Sequence, residues 1–212
     1  MIPAAPAAAN SVAAALLVLV TTTLSSPPSD IPVLEVVKVY GHLASSDCYG
    51  AVAPRGSSCQ LTLEHVVDTL GFTSPHQHSA ISQQEFYQRI QESPFQWPLK
   101  PYGIEKSLTK TATMNKGAET RVYMDELERR GLYDKRNPTG PLPTSLRPKL
   151  NQQLGQEGVD PVVVERVFKA INGGSGGDLT VERLAEAFQG QDALDYYSFL
   201  DLIGKESIVW PE

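Results

Sequence analysis

The sequence predicts a mainly α-helical protein with long irregular or extended segments and a small helical module near its C-terminus. Three observations carry that expectation. Apolar residues recur at helical spacing in short runs, most clearly Val164, Val167, Phe168 and Ile171. Prolines crowd into SPFQWPLKPYG and NPTGPLPTSLRP, where they exclude helix interiors and central strands. The alternating strand and helix periodicity of a doubly wound sheet or barrel is missing.

Composition narrows the function classes. The 212 residues are 41% hydrophobic and 20% charged, too few charges for a wholly disordered chain. Two cysteines cannot make a disulfide-dense scaffold, and a net charge of −6 argues against a general nucleic-acid binder. The charge is uneven: −1 over 1–60, −2 over 61–100, +4 over 101–150 and −7 over 151–212. A basic middle and an acidic end fit two modules facing different partners, one module folded on the other, or ordinary solvated faces.

Residues 1–30 form an apolar N-terminal segment, uncharged up to Asp30, ending in a Pro/Ser linker. Ala7 to Leu24 is an uncharged run of 18 residues, at the lower edge of a bilayer span, but Ala and Thr drive insertion weakly. An export h-region, a marginal membrane helix and a helix packed on a partner all remain open. Ser25 to Asp30 carries paired prolines and reads as a linker.

Residues 31–93 should hold short helices and loops. Val33 to Tyr40 reads as strand or short helix, with helix favoured. Thr62 precedes Leu63, Val66, Val67 and Leu70 and the run stops at Gly71, the pattern of a two-turn helix with a glycine at its end. Ser82 and Glu85 make a capping box ahead of a helix carrying Phe86 and Ile90 that must end before Pro94. Cys48 and Cys59, with His65, His76 and His78, are the soft-ligand candidates, but their spacing does not match a zinc site. Disulfide and free thiols both stay open for the cysteines. No catalytic motif is present: no nucleophile elbow, phosphate loop, dinucleotide fingerprint or H-E-x-x-H. No enzymatic activity is expected.

Residues 94–158 read as Pro-rich extended arms around a basic helix at about 116–130. Val122, Tyr123 and Leu127 line one side of that helix, Arg129 and Arg130 sit in its last turn, and Gly131 ends it. A shorter helix at about 146–154 follows. Extended chain carrying large aromatics suits a groove on another protein. Phe95, Trp97, Tyr102, Lys106, Lys110, Arg129 and Arg130 are therefore the candidate partner contacts. Lysines without interleaved aromatics argue against single-stranded nucleic acid and fit an acidic protein surface or lipid headgroups.

Residues 159–204 carry the most specific pattern, with residues 205–212 as a tail. After Asp160-Pro161 starts a helix, VFKAINGGSGGDLTVERLAEAF resembles an EF-hand: helix, twelve-residue loop Asn172 to Arg183, helix. Gly177 falls at the sixth loop position and Leu179 at the eighth, the apolar residue that pairs with a sister loop. Calcium needs oxygens from positions one, three, five and twelve. This loop offers Asn172, Gly174, Gly176 and Arg183, with Asp178 at the seventh. The resemblance implies the fold, and the ligand set implies no bound metal. DALDYYSFLDLI resembles the exit half of a second hand with Leu194 at its apolar loop position, or else is simply an amphipathic helix. Val164, Phe168, Leu184, Phe188, Phe199 and Leu202 should form the one compact core.

Residues 102–154, taken with this degenerate loop, resemble nucleus-encoded accessory subunits of algal photosynthetic complexes, especially linkers between photosystem I and its light-harvesting antenna. That resemblance implies a chloroplast, thylakoid-associated, non-catalytic linker. Its partners would be subunits of a large complex, with membrane association and, at most, peripheral chlorophyll or lipid but no cofactor of its own. The alternative is a soluble EF-hand-type regulatory or interaction module.

Overall fold

A computed structural model of the chain describes residues 30–44, 60–72, 80–98, 118–138, 140–204 and 207–210. Among them the protein is mainly helical. The helices are α1 (Val33–Leu43), α2 (Leu63–Thr69), α3 (Gln83–Glu92), α4 (Ala118–Arg129), α5 (Arg147–Glu157), α6 (Pro161–Ile171), α7 (Val181–Ala187) and α8 (Tyr196–Ile203). Six two-residue strands accompany them: β1 (Ile31–Pro32), β2 (Leu61–Thr62), β3 (Ala80–Ile81), β4 (Leu179–Thr180), β5 (Ala193–Leu194) and β6 (Ile208–Val209).

Local sequence explains most boundaries. Thr62, Ser82, Asp160, Thr180 and Asp195 each accept a hydrogen bond from a free backbone N–H in the following first turn. Ser82 and Glu85 complete the capping box reciprocally. α1 is a helix throughout, as favoured, and α2 ends at Gly71 in the left-handed region (φ +79°). α5 runs past Gly155 and stops at Gly158 (φ +73°), later than the sequence suggested.

The strands disclose an organisation that the sequence reading missed. β2 pairs antiparallel with β5, Leu61 opposite Leu194, and β3 pairs antiparallel with β4, Ile81 opposite Leu179. Among the described residues, two stretches of the chain therefore each run long helix, strand, short helix, strand, helix. α1-β2-α2-β3-α3 matches α6-β4-α7-β5-α8 in order, and α1 and α6 are both 11 residues, α2 and α7 both 7. LTLEHVVDTL matches LTVERLAEAF, and AISQQEFYQRI matches ALDYYSFLDLI. Exchanging the halves turns the Leu61–Leu194 pair into the Leu179–Ile81 pair, so one ribbon maps onto the other, as a two-fold would require. The rings obey the same exchange: Tyr40 meets Phe199 edge-on at 5.1 Å, and their counterparts Phe168 and Phe86 meet at 5.4 Å.

This overturns the expectation of one compact core within 159–204. Both strands of that segment pair with the first half, and Leu179 and Leu194 do not pair with each other. Val164, Phe168, Leu184, Phe188 and Phe199 are buried as expected, whereas Leu202 is only half-buried, and the same core takes in α1, α3, α4 and α5. Ile208 and Val209, in the expected tail, run parallel to Ile31 and Pro32.

α1 and α6 occupy equivalent places but differ in surroundings. α6 is amphipathic, with Glu165 and Lys169 paired on its wet side. At the equivalent positions α1 carries buried Val37 and Gly41, and it is buried nearly all round. Part of that covering comes from residues 95–96, seated on Gly41, and from α5, which lie between the two repeats in sequence and have no counterpart in either.

Candidate functional site

The loop between α6 and β4 is built from its first residue. Asn172 ends α6 and is 1% exposed. Its amide nitrogen donates to the carbonyls of Gly177 (2.5 Å) and Ser175 (3.3 Å), and the Ser175 hydroxyl donates to the Asn172 carbonyl at 2.7 Å. Gly173 and Gly174 take positive φ, which lets the chain reverse directly after the helix. Leu179 then enters β4, and Thr180 accepts from the Arg183 N–H to start α7. Arg183 is therefore positioned over the loop, and its Nη1 donates to both Asn172 oxygens, the carbonyl at 3.3 Å and Oδ1 at 3.2 Å.

These residues do not fit calcium. The single side-chain oxygen among the positions that should supply ligands, Asn172 Oδ1, already accepts from a guanidinium. Gly174 and Gly176 bring no donor, and a carboxylate is missing at position twelve. Asp178 is exposed. Among the described residues no group of three or more His, Cys, Asp or Glu side chains could hold a metal ion.

The sequence proposed Phe95 and Trp97 as contacts for a partner, and the structure instead places both in the protein's own core. Trp97 is fully buried, its ring edge-on to Tyr123 at 5.1 Å and to Phe95 at 6.5 Å. The backbone here is held on two sides. Gln96 N–H donates to the Gly41 carbonyl at 3.0 Å, while Trp97 N–H donates to Asn151 Oδ1 at 3.0 Å and Asn151 Nδ2 returns a bond to Gln96 Oε1. An extended segment cannot bond to itself, so these partners on α1 and α5 take up the backbone N–H groups of Gln96 and Trp97. Gly41 is required for the approach: a Cβ there would collide with the Gln96 carbonyl oxygen and the Phe95 ring.

His42 closes the same junction. It is buried, its Nδ1 lies 2.8 Å from the Ser93 carbonyl, and its Nε2 has no hydrogen-bond partner among the described residues. Burial holds its pKa below the ordinary histidine value, the Ser93 carbonyl opposes that, and Lys38 adds to it.

Arg129 and Arg130 are engaged internally as well. Both bond to Glu126, which is 5% exposed at its side chain, and Arg130 also reaches Glu157 at 2.6 Å. Lys38 joins Glu35 at 2.8 Å and Glu157 at 3.6 Å, so charges of α1, α4 and α5 form one network. Burial would raise the Glu126 pKa, but bonds from Arg129 and Arg130 outweigh it and hold the carboxyl below its usual value. The Arg130 side chain is 8% exposed, whereas that of Arg129 is 60% exposed and remains open to solvent. Beside this network a cleft of about 380 Å³ lies between the β1/β6 ribbon and α4, walled by Pro32, Val33, Leu34, Val122 and Trp210.

His65 sits in α2, its Nε2 3.2 Å from the Thr69 hydroxyl. Tyr102, Lys106, Lys110, Cys48, Cys59, His76, His78 and the run Ala7 to Leu24 lie outside the described residues. No described helix is long and apolar enough to cross a membrane. Comparison with protein-family models, with curated proteins and with solved structures gives no match.

Proposed function

We propose that the protein is a non-catalytic interaction subunit of a multiprotein assembly, built on a duplicated EF-hand-like scaffold that does not use calcium. The observation that carries this reading is the loop 172–183: helix, glycine-rich turn, short strand and helix follow the EF-hand order, the strand pairs with another loop, and Arg183 stands where the last metal ligand would be. The regulatory alternative, a calcium-responsive EF-hand module, is disfavoured by the same donor set.

The assembly suggested by the sequence resemblance is photosystem I with its light-harvesting antenna, in the thylakoid of a chloroplast, with no cofactor bound by this chain itself. Affinity purification of the tagged full chain from its native cells, read by mass spectrometry, tests that assignment. Stoichiometric recovery of photosystem and antenna subunits without added calcium is expected. Recovery of a monomer, or of partners only in calcium, would overturn it.

A further inference from the structure

We infer that Arg183 is a resident cation for the loop 172–183, holding by its guanidinium the closed form that a bound metal would hold in a loop with full ligands. The inference deepens the EF-hand-like reading of this loop and is independent of any partner. An EF-hand metal ties the end of the entering helix to the start of the leaving one by drawing oxygens from both. Here the same two points are tied directly. Asn172 is the residue after α6, Arg183 is in the first turn of α7, and Nη1 bridges them through the Asn172 carbonyl and Oδ1.

The remaining geometry is consistent with a centre satisfied by protein atoms. Asn172 is buried, so its side-chain oxygen needs a donor, and it receives a charged one. Its amide nitrogen turns the opposite way and gathers the Ser175 and Gly177 carbonyls, oxygens of the loop itself. The amide and the guanidinium together tether the loop from both sides. The equivalent residue in the first half, His65, turns instead along its own helix to Thr69. There 17 residues separate α1 from β2, against 7 between α6 and β4. The bridging contact goes with the short loop, where a twelve-residue closure is geometrically available.

The test is hydrogen exchange of backbone amides in the full chain, with calcium chloride alone as the added probe. In Arg183→Met, a neutral side chain of similar length, exchange at 173–180 should rise roughly tenfold or more, the fold-change that loss of hydrogen bonds to a charged group implies. Residues in α3 should change less. Wild-type exchange should not respond to millimolar calcium. Gly176→Asp combined with Arg183→Glu adds carboxylates at loop positions five and twelve, and nothing lies within 4 Å of a Cβ built at 176. In that variant millimolar calcium should restore the protection that removal of Arg183 abolishes. Unchanged exchange in Arg183→Met, calcium-dependent protection of the wild type, or failure of calcium to protect the double variant would each overturn the assignment. Should Arg183→Met not fold, Arg183→Gln keeps a polar side chain but removes the charge, and wild-type exchange at 173–180 in that protein would overturn it equally. None of these outcomes depends on which assembly the chain joins.

Discussion

Replacing Gly41 by alanine separates the architecture described above from an ordinary exposed helix, because the two give opposite signs. In a solvent-facing helix interior, Gly→Ala stabilises by about 1 kcal/mol, through backbone entropy and helix propensity. Here the added methyl would collide with the Gln96 carbonyl oxygen and the Phe95 ring, which must shift. Overpacking of this kind costs about 1–3 kcal/mol. Moving residues 95–97 outward also lengthens the 3.0 Å bond from Gln96 N–H to the Gly41 carbonyl, worth about 1 kcal/mol. The costs outweigh the propensity gain, and the net expectation is a loss of about 1–3 kcal/mol. Urea unfolding of the purified full chain, followed by far-ultraviolet circular dichroism, reads this as a lower midpoint at unchanged slope. The counterpart position in the second half supplies the control. Lys169→Ala removes an exposed pair with Glu165 and should stay within about 0.5 kcal/mol of wild type. A Gly41→Ala protein as stable as wild type, or more so, would refute the seating of 95–97 against α1.

Trp97→Ala should cost about 3–5 kcal/mol in the isolated protein, since a fully buried indole packed on Tyr123 and Phe95 is removed; a neutral result by the same urea titration would return Trp97 to the role of a partner contact. His42 is held neutral by burial, with a folded pKa below its ordinary 6.5, so its contribution is complete above that value and is lost as pH falls through the folded pKa. His42→Gln should flatten that acid slope below pH 6.5, and an unchanged slope would show that His42 does not couple there. Glu126 is also lowered, from 4.5, so its network stabilises above that pH and weakens only as pH drops further. Glu126→Gln should therefore destabilise at pH 7 and cost progressively less towards pH 3, measured by thermal unfolding across the range.

Local structure was legible in the sequence wherever one short stretch contains its own cause. The capping box at Ser82 and Glu85, the glycine stops after α2 and α4, and the Asp160-Pro161 start of α6 are each decided by atoms within a turn of one another. The Asn172 and Arg183 pairing was half visible: spacing marked Arg183 as a cation in a ligand's place, but not that it would reach both Asn172 oxygens. Burial of Phe95 and Trp97 was not legible, because their partners Gly41, Tyr123 and Asn151 are distant in sequence. Proline density excluded regular structure, and residues 94–98 have none, yet extended chain docks as readily on its own protein as on another.

The repeated order was also present in the sequence, in LTLE and LTVE, but unequal spacing obscured it. The separation between equivalent residues is 128 for Tyr40 and Phe168, 118 for Leu61 and Leu179, and 113 for Ile81 and Leu194, so no constant period exists to be found. The reason lies in the first half, where ten more residues separate α1 from β2 than α6 from β4, and five more separate α2 from β3 than α7 from β5.

Where the halves differ in their equivalent helices, the differences follow what covers each. Val37 and Gly41 in α1 stand opposite Glu165 and Lys169 in α6, and each substitution is what burial or solvent demands at that place. Charging α1 at those positions would bury unpaired groups beneath Phe95. Making α6 apolar there would place a hydrophobic face where Glu165 and Lys169 are exposed among the described residues. Residues 95–97 and α5 therefore act towards α1 as a bound partner would, through the Phe95 ring against Gly41, the backbone bond from Gln96 to Gly41 and the Lys38–Glu157 ion pair. The features that made residues 94–98 look like a ligand are the ones that fasten them to their own protein.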